Sequence, residues 1–196
     1  MSHTGDDDID VDTVRRTGHF VYESGHHGDT WLDLDHLFVD QERLRRLADK
    51  LADRLRRHAV DIVCGPLVGG ALLGQWVSHH LNVPFVYAER IPPTAISRVR
   101  YDIPNALSGV VAGMCVAIVD DAINAGSATL ATQDEIARQG GDATVAASIF
   151  IREPGGIALL ESSGLAVEHL VGVPFTIWEP ARCPLCRDGV PLEHTT

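Results

Sequence analysis

The stretch VAIVDDAINAGSATLA, residues 116–131, decides both the fold class and the first candidate site. An aliphatic run typical of a buried strand ends in two adjacent aspartates, Asp120 and Asp121, and a small-residue segment follows. Ligands of parallel sheets bind beyond the carboxyl ends of the strands. Carboxylates there can accept hydrogen bonds from paired hydroxyls such as those of ribose, and the free amides of a following helix suit a phosphate. The segment is neither a P-loop nor a dinucleotide-binding fingerprint, because G-K-[ST] and G-x-G-x-x-G are both absent. The alternative interpretation is a polar strand-to-helix turn capped by Asn124 or Ser127.

Strand-like and helix-like segments alternate along the rest of the chain. The strand-like runs are 60–65, 83–89, 114–120, 143–151 and 169–175, and residues 16–35 alternate around a Ser24-Gly25 turn. The helix-like runs are 40–58, 70–81 and one that ends near residue 139. Alternation of this kind predicts an α/β fold with a mostly parallel sheet covered by helices on both faces. Residues 90–113 contain three prolines and no clear period, which predicts a long loop of functional importance.

Composition narrows the class of protein. The 196 residues are 45% hydrophobic, which predicts one domain with a proper core over 16–196, preceded by an acidic, disordered tail at 1–15. The net charge of −11 argues against a nucleic-acid or acidic-membrane partner. No apolar run is long enough to span a membrane, and the first residues lack the basic and apolar regions of a signal peptide. The expected location is therefore cytoplasmic.

Several segments together resemble a known enzyme family. VAIVDDAINAGSAT resembles the phosphoribosyl-diphosphate (PRPP) signature of the type I phosphoribosyltransferases. The similarity narrows to the orotate phosphoribosyltransferases through GHFVYESGHHGDTW (18–31), DIVCGPLVGGALLG (61–74), SIFIREPGG (148–156) and CPLCRDGVPLE (183–193). The resemblance implies the type I phosphoribosyltransferase fold, in which a central, mostly parallel sheet is flanked by helices and joined by a small hood built from both chain ends. It also implies a homodimer.

The resemblance implies a role for each matching residue. Asp120 and Asp121 would hold the ribose hydroxyls of PRPP and stabilise positive charge developing on the ribose. The 5-phosphate would lie in the loop Ala125, Gly126, Ser127, Ala128 and Thr129. The diphosphate would meet the amides of Val68, Gly69 and Gly70. Arg152 would bind the orotate carboxylate, since a guanidinium suits it bidentately. Mg²⁺ is implied as the cofactor, bound through PRPP, because diphosphate leaves poorly without charge neutralisation.

The chain also departs from the family pattern. The phosphate loop lacks three of its usual hydroxyls, and His26 stands where the family has a lysine. The segment 87–109 contains no lysine, so Arg90 is the candidate for diphosphate binding, and Arg98 and Arg100 are the candidate catalytic cations. These departures leave three functions open. They are orotate phosphoribosyl transfer, transfer to another base such as a purine, and PRPP binding without catalysis in a regulator.

The pair Cys183 and Cys186 is half of a zinc site by its spacing. The other ligands could come from His194, Cys64, Cys115 or a partner subunit. A redox pair or a plain structural tail are the alternative interpretations.

Overall fold

The protein is described by a computed structural model over residues 10–92 and 100–194. Ten strands and seven α-helices occur in those residues, together with short 3-10 turns at Asn105–Leu107 and Pro180–Arg182. The strands are β1 (Arg15–Val21), β2 (His27–Leu32), β3 (Ile62–Pro66), β4 (Phe85–Ile91), β5 (Arg100–Asp102), β6 (Cys115–Ile123), β7 (Asp142–Glu153), β8 (Ala166–Pro174), β9 (Ile177–Trp178) and β10 (Glu193–His194). The helices are α1 (Val11–Val14), α2 (Asp35–Val39), α3 (Gln41–Leu55), α4 (Gly69–Leu81), α5 (Ser127–Arg138), α6 (Gly155–Ser162) and α7 (Pro184–Arg187).

Six strands form the main sheet, in the order β5-β4-β3-β6-β7-β8. All neighbouring pairs are parallel except β4 with β5, which is antiparallel. Each buried strand sends alternate side chains to opposite faces. On β3, Val63 joins the apolar core under α3 and α4, whereas Ile62 joins the core under α5. The predicted α/β class with a helix-covered parallel sheet is therefore confirmed.

The long helix α3 shows how local sequence starts and orients an element. Asp40 caps it by accepting a hydrogen bond from the Arg43 backbone N–H at 3.0 Å. Leu44, Leu47, Leu51 and Leu55 recur on one face and are buried against the main sheet. The helix covers the sheet face that α4 shares, as its leucine spacing predicts.

Four strands form a second sheet, which we call the hood, in the order β10-β1-β2-β9. Its centre is the antiparallel β1–β2 hairpin, and its edges are two-residue strands from the C-terminal region. The predicted small hood built from both ends of the chain is therefore confirmed. Tyr22 and Trp31 of this sheet stack with ring centroids 6.1 Å apart and face the main sheet's ligand edge.

Two segments differ from the expectation. Residues 11–14 of the predicted tail form α1, and Val14 is buried, because an apolar side chain there packs under the hood. The predicted loop 90–113 contains β5, whose residue Tyr101 is buried. Residues 1–9, 93–99 and 195–196 lie outside the described residues. Among the described helices, none is long and apolar enough to cross a membrane.

Candidate active site

The two aspartates at the end of β6 form the floor of the site. Asp120 is buried, with 8% of its surface exposed, and its Oδ1 accepts a hydrogen bond from the Asp121 N–H at 3.0 Å. The Oδ1 of Asp121 accepts one from the Ala122 N–H at 2.7 Å. Burial, and then the charge of Asp121, raise the pKa of Asp120 well above its usual range. Burial also raises the pKa of Asp121, although backbone donors offset part of that effect.

The turn into α4 approaches these carboxylates closely. A Cβ added to Gly70 would lie 2.8 Å from Asp120 Oδ1, and one added to Gly69 would collide with the Asp121 carboxylate. Only glycines fit at these two positions, because any side chain would displace the acidic pair. Val68 precedes them, is 69% exposed, and follows a cis peptide bond with Leu67. The structure thus brings Val68, Gly69 and Gly70 to the site, as expected.

The start of α5 forms the wall beside Asp120. Gly126 takes a left-handed conformation with φ of 74°, and no side chain caps the helix N-terminus. The buried Thr129 hydroxyl has no hydrogen-bond partner among the described residues. These features leave donors free at the positive end of a helix, which is an arrangement that suits an anion.

A cavity of about 110 Å³ lies between this wall and the hood. All five residues of the predicted phosphate loop line it. The lining residues are Tyr22, Glu23, Trp31, Asp120, Ala122, Ile123, Asn124, Ala125, Gly126, Ser127, Ala128 and Thr129. The hood therefore closes the pocket from above, while the main sheet supplies its floor.

A larger cavity of about 810 Å³ adjoins the small one, and Glu23, Trp31, Ala122 and Asn124 line both. Asp121 and Val68 face the larger cavity, and so does Arg90. The small compartment contains a helix N-terminus, and the larger one contains Val68 of the glycine turn and Arg90. Together they can hold a molecule that carries anionic groups at both ends.

Glu23 is a site residue that sequence reasoning missed. Its carboxylate accepts hydrogen bonds from Arg90 Nε at 2.5 Å, the Tyr101 hydroxyl at 3.0 Å and the Ser127 hydroxyl at 3.2 Å. The hood is thereby connected to the phosphate loop and to β4. Glu23 lies in the GHFVYESGHHGDTW segment, but no spacing within that segment indicates a contact with residues 67 to 104 positions away.

Arg152 lies behind the phosphate loop, at the end of β7. Its Nε donates to the Asn124 carbonyl at 3.1 Å, and the guanidinium packs against Gly155. Burial lowers its pKa from the ordinary value, so the group is partly shielded from water. Asn124 lines both cavities, and Arg152 itself is in neither lining. The structure places Arg152 next to the site, held by one of the site's own residues.

Two of the predicted residues that the structure describes are not brought to these cavities. Arg100 forms an ion pair with Asp102 at 2.9 Å and lines a separate cavity beside α5, because β5 turns Tyr101 inward and its neighbours outward. This position does not support a catalytic role for Arg100. His26 contacts the Ser24 hydroxyl at 3.0 Å in the hairpin turn, away from the phosphate loop. Arg98 lies outside the described residues.

Cys183 and Cys186 have partners that differ from those considered from the sequence. His19 and His27 of the hood join them, with all four ligand atoms within 4.8 Å of one another. Cys64 is buried in β3, where burial raises the pKa of its thiol to about 12. Neither Cys64, Cys115 nor His194 belongs to a metal-ligating cluster in the described part of the chain.

No family model matches the chain. The chain is 27% identical over 179 residues to the orotate phosphoribosyltransferase of Caldanaerobacter subterraneus, a match that covers 91% of this chain and 88% of the relative. The predicted resemblance to orotate phosphoribosyltransferases is therefore confirmed along nearly the whole chain.

Solved structures carry the same fold. The orotate phosphoribosyltransferase of Aeropyrum pernix has a TM-score of 0.63 at 20% identity, covering 82% of this chain and 89% of that one. The adenine phosphoribosyltransferase of Trypanosoma brucei, in complex with AMP, pyrophosphate and ribose-5-phosphate, has a TM-score of 0.62 at 18% identity, covering 88% and 82%. The chain has the type I phosphoribosyltransferase fold.

Proposed function

We propose that this protein, which resembles orotate phosphoribosyltransferases in sequence and type I phosphoribosyltransferases in fold, transfers the phosphoribosyl group of PRPP to orotate. A ring nitrogen of the base bonds to C1 of the ribose as the bond from C1 to the diphosphate oxygen breaks. One observation carries the proposal. In a chain similar to orotate phosphoribosyltransferases over 91% of its length, an acidic pair, a glycine turn and an uncapped helix N-terminus meet at one pair of cavities.

The acidic pair would hold the ribose. Asp120 and Asp121 can accept hydrogen bonds from vicinal hydroxyls, and their charge would stabilise positive charge on the ring in the transition state. The free amides at the start of α5 would bind the 5-phosphate, with Ser127 and Thr129 adding hydroxyls. The diphosphate would then extend past Val68 toward Arg90 in the larger cavity. A substrate with phosphate groups at both ends thus suits the two-compartment shape of the site.

The carboxylates that line the larger cavity also fit Mg²⁺ bound through the substrate. Asp33, Asp35 and Asp121 line the larger cavity and offer the oxygen ligands that this ion accepts. Mg²⁺ commonly takes one or two carboxylates together with substrate phosphates, and when bound it neutralises the charge of the diphosphate leaving group. The protein's own part is to hold the ribose and 5-phosphate fixed while the diphosphate departs.

Arg152 would orient the acceptor base. Its Nε holds the Asn124 carbonyl at the cavity wall, and its two Nη groups have no hydrogen-bond acceptor among the described residues. A carboxylate on the base can supply that acceptor. Tyr22 and Trp31 would cover the ring from the hood, since both line the small cavity.

Two other functions are supported by single observations. Adenine phosphoribosyltransferase structures have TM-scores about as high as those of orotate phosphoribosyltransferases, so the fold does not select the base. The position of Arg100, away from the acidic pair, favours PRPP binding with little turnover.

The test is diphosphate release from PRPP and Mg²⁺ with orotate, uracil, adenine, guanine, hypoxanthine and xanthine in parallel. We expect release with orotate alone. Arg152→Ala should raise the KM for orotate by about 10- to 100-fold, because a hydrogen-bonded charge pair is worth about 1.5–3 kcal/mol. Arg45→Ala is the matched control, since Arg45 is a surface residue of α3. Release with a purine alone would support the second function. PRPP binding without release would support the regulator.

We further propose a homodimer in the cytoplasm with no nucleic-acid partner. Val39 is 80% exposed at the end of α2, and Leu72 is 43% exposed on α4, which packs against α2. A second copy of the chain would cover this apolar surface. Light scattering coupled to size-exclusion chromatography tests it, with Leu72→Glu expected to yield monomer.

A further inference from the structure

Four metal-ligating side chains converge in the hood. His19 of β1, His27 of β2, and Cys183 and Cys186 around α7 place one ligand atom each within 4.8 Å of all the others. His19, His27 and Cys183 are buried, and only Cys186 is exposed. All four lie outside the cavities of the candidate active site. The inference drawn from them does not depend on the proposed function.

The spacing of the ligand atoms matches a tetrahedral zinc site. Zn–N bonds of about 2.0–2.1 Å and Zn–S bonds of about 2.3 Å place two nitrogens about 3.3 Å apart and a nitrogen and a sulfur about 3.6 Å apart. His19 Nε2 and His27 Nδ1 are 3.1 Å apart. His19 Nε2 lies 3.4 Å from Cys183 Sγ and 3.7 Å from Cys186 Sγ, and His27 Nδ1 lies 3.2 Å from Cys186 Sγ.

Hydrogen bonds alone do not account for every close contact in this cluster. The Nδ1 of His19 lies 2.8 Å from the Val190 carbonyl, so it must carry the proton and donate. The Nε2 atom of a neutral His19 then has one lone pair, and three groups approach it: His27 Nδ1 and the two sulfurs. One lone pair can accept one hydrogen bond. A cation at the centre would use all four lone pairs at once, and the Val190 carbonyl is the outer partner that metal-bound histidines commonly have.

We propose that His19, His27, Cys183 and Cys186 bind one Zn²⁺ as a closed structural site. Two thiolates and two imidazoles in tetrahedral array are a ligand set that selects zinc among common divalent ions. Four protein ligands leave no coordination position for water or substrate, so the ion acts on folding and not on the chemistry.

A β-bulge in β1 sets His19 in position. Thr17 pairs with Thr30 and Phe20 pairs with Gly28, so Gly18 and His19 together oppose the single residue Asp29. A bulge of this kind changes the direction of a side chain. It allows His19 and Phe20, which are consecutive, both to be buried. His19 thereby reaches His27 and the segment that carries Cys183 and Cys186.

The ion would join the two ends of the chain. His19 and Cys183 are 164 positions apart, and they connect the β1–β2 hairpin to the segment that carries β9, α7 and β10. Tyr22 and Glu23, which line the small cavity, lie between the two histidines along the hairpin. Zinc would therefore fix the hairpin that forms the upper wall of the active site.

The test measures metal in the full chain, expressed with zinc in the medium and purified without chelator. We expect about one zinc per chain by mass spectrometry of metals, and a loss of at least about tenfold in Cys183→Ser/Cys186→Ser, because a site left with two ligands binds zinc poorly. Cys115→Ser is the matched control, since Cys115 is a free cysteine of β6 outside the cluster. It should retain the metal.

Two further measurements use the wild-type chain, so the test does not depend on whether a cysteine variant folds. Replacement of zinc by Co²⁺ should produce the visible absorption of a tetrahedral site with thiolate ligands. Chelation should lower the thermal midpoint by on the order of 10 °C, as expected for a ligand bound far above its dissociation constant. The proposal is overturned by a wild-type chain that contains no zinc, by equal zinc in the double cysteine variant, or by a Cys183–Cys186 disulfide in the purified protein.

Discussion

The acidic site at the end of β6 and the four-residue cluster in the hood are built in opposite ways. Residues 120–129 come from one strand and the turn after it, so the chain places them together as soon as the main sheet forms. The cluster comes from residues near both ends of the described chain, which meet only in the finished fold. Local sequence therefore supplies the proposed substrate-binding residues, whereas distant segments supply the cover.

The two regions also differ in what stabilises them. Both faces of the main sheet are buried against helices, and its central strands are fully buried. The hood has two edge strands of two residues each, and its buried residues Tyr22 and Leu32 belong to an apolar cluster that the main sheet shares. A large core tolerates the buried carboxylate of Asp120 beside the half-buried carboxylate of Asp121, although a buried charge is unfavourable by itself. A small sheet gains most from a cross-link between its ends.

The largest expected effect comes from removing the charge of the acidic pair. Asp120→Asn/Asp121→Asn should reduce kcat/KM for PRPP by about 10³-fold or more, since loss of a single preorganised stabilising group often decreases the rate by about 10²–10³-fold. The fold should persist because amide side chains have the same shape. Steady-state diphosphate release and circular dichroism measure the two quantities. Asp53→Asn on α3 is the control, and retention of activity in the double variant would exclude the proposed role.

The second prediction separates the two regions directly. Removal of the metal ligands by Cys183→Ser/Cys186→Ser should increase amide hydrogen exchange in β1, β2 and β10 while β3, β6 and β7 keep their protection. The reason is that local opening follows local stability, and the hood strands are more exposed than the central strands of the main sheet, with edge strands of only two residues each. Exchange followed by mass spectrometry resolves these segments. Uniform loss of protection across both sheets would show that the hood is not an independent unit.

A third and smaller effect concerns stability against pH. The raised pKa of Asp120 means that its contribution to stability is full below its unfolded pKa, about 3.9, and is lost as pH rises through the folded value. Asp120→Asn should therefore make the protein more stable than wild type near neutral pH, because the amide carries no charge whose burial is unfavourable.

The pH dependence checks the cause of this gain. The difference in free energy of unfolding between Asp120→Asn and wild type should shrink toward zero near pH 4, close to the ordinary pKa of about 3.9. Urea denaturation at several pH values measures it. The exposed Asp53→Asn variant should give no such trend, and a gain independent of pH would assign the effect to packing.

The smallest effect is predicted for the contact that joins the two regions. Glu23→Gln removes a negative charge beside Ser127 and frees Arg90, so the KM for PRPP should fall by about three- to tenfold. Glu161→Gln, on the exposed surface of α6, is the control. A higher KM in Glu23→Gln would mean instead that Glu23 holds Arg90 in its productive position.

Much of the fold was predictable because its signals are local. The strands β3, β6 and β7 lie within a few residues of their predicted bounds, since aliphatic runs between polar turns indicate buried strands. The placement of Asp120, Asp121 and the loop 125–129 followed from one continuous segment and a general rule about strand ends. Val68, Gly69 and Gly70 were assigned through the resemblance of residues 61–74 to the diphosphate-binding segment of orotate phosphoribosyltransferases.

What the sequence by itself determined is the α/β class, the acidic pair at the end of a strand and the small-residue loop 125–129 after it. Tertiary structure decided that Arg100 faces away from the acidic pair, that Glu23 reaches Ser127, and that His19 and His27 complete the cysteine pair. The physical reason is that periodicity and turn chemistry act between near neighbours in the chain. Strand register and the β-bulge of β1 depend on pairing between whole strands, and β1 meets β10 across more than 150 residues of chain.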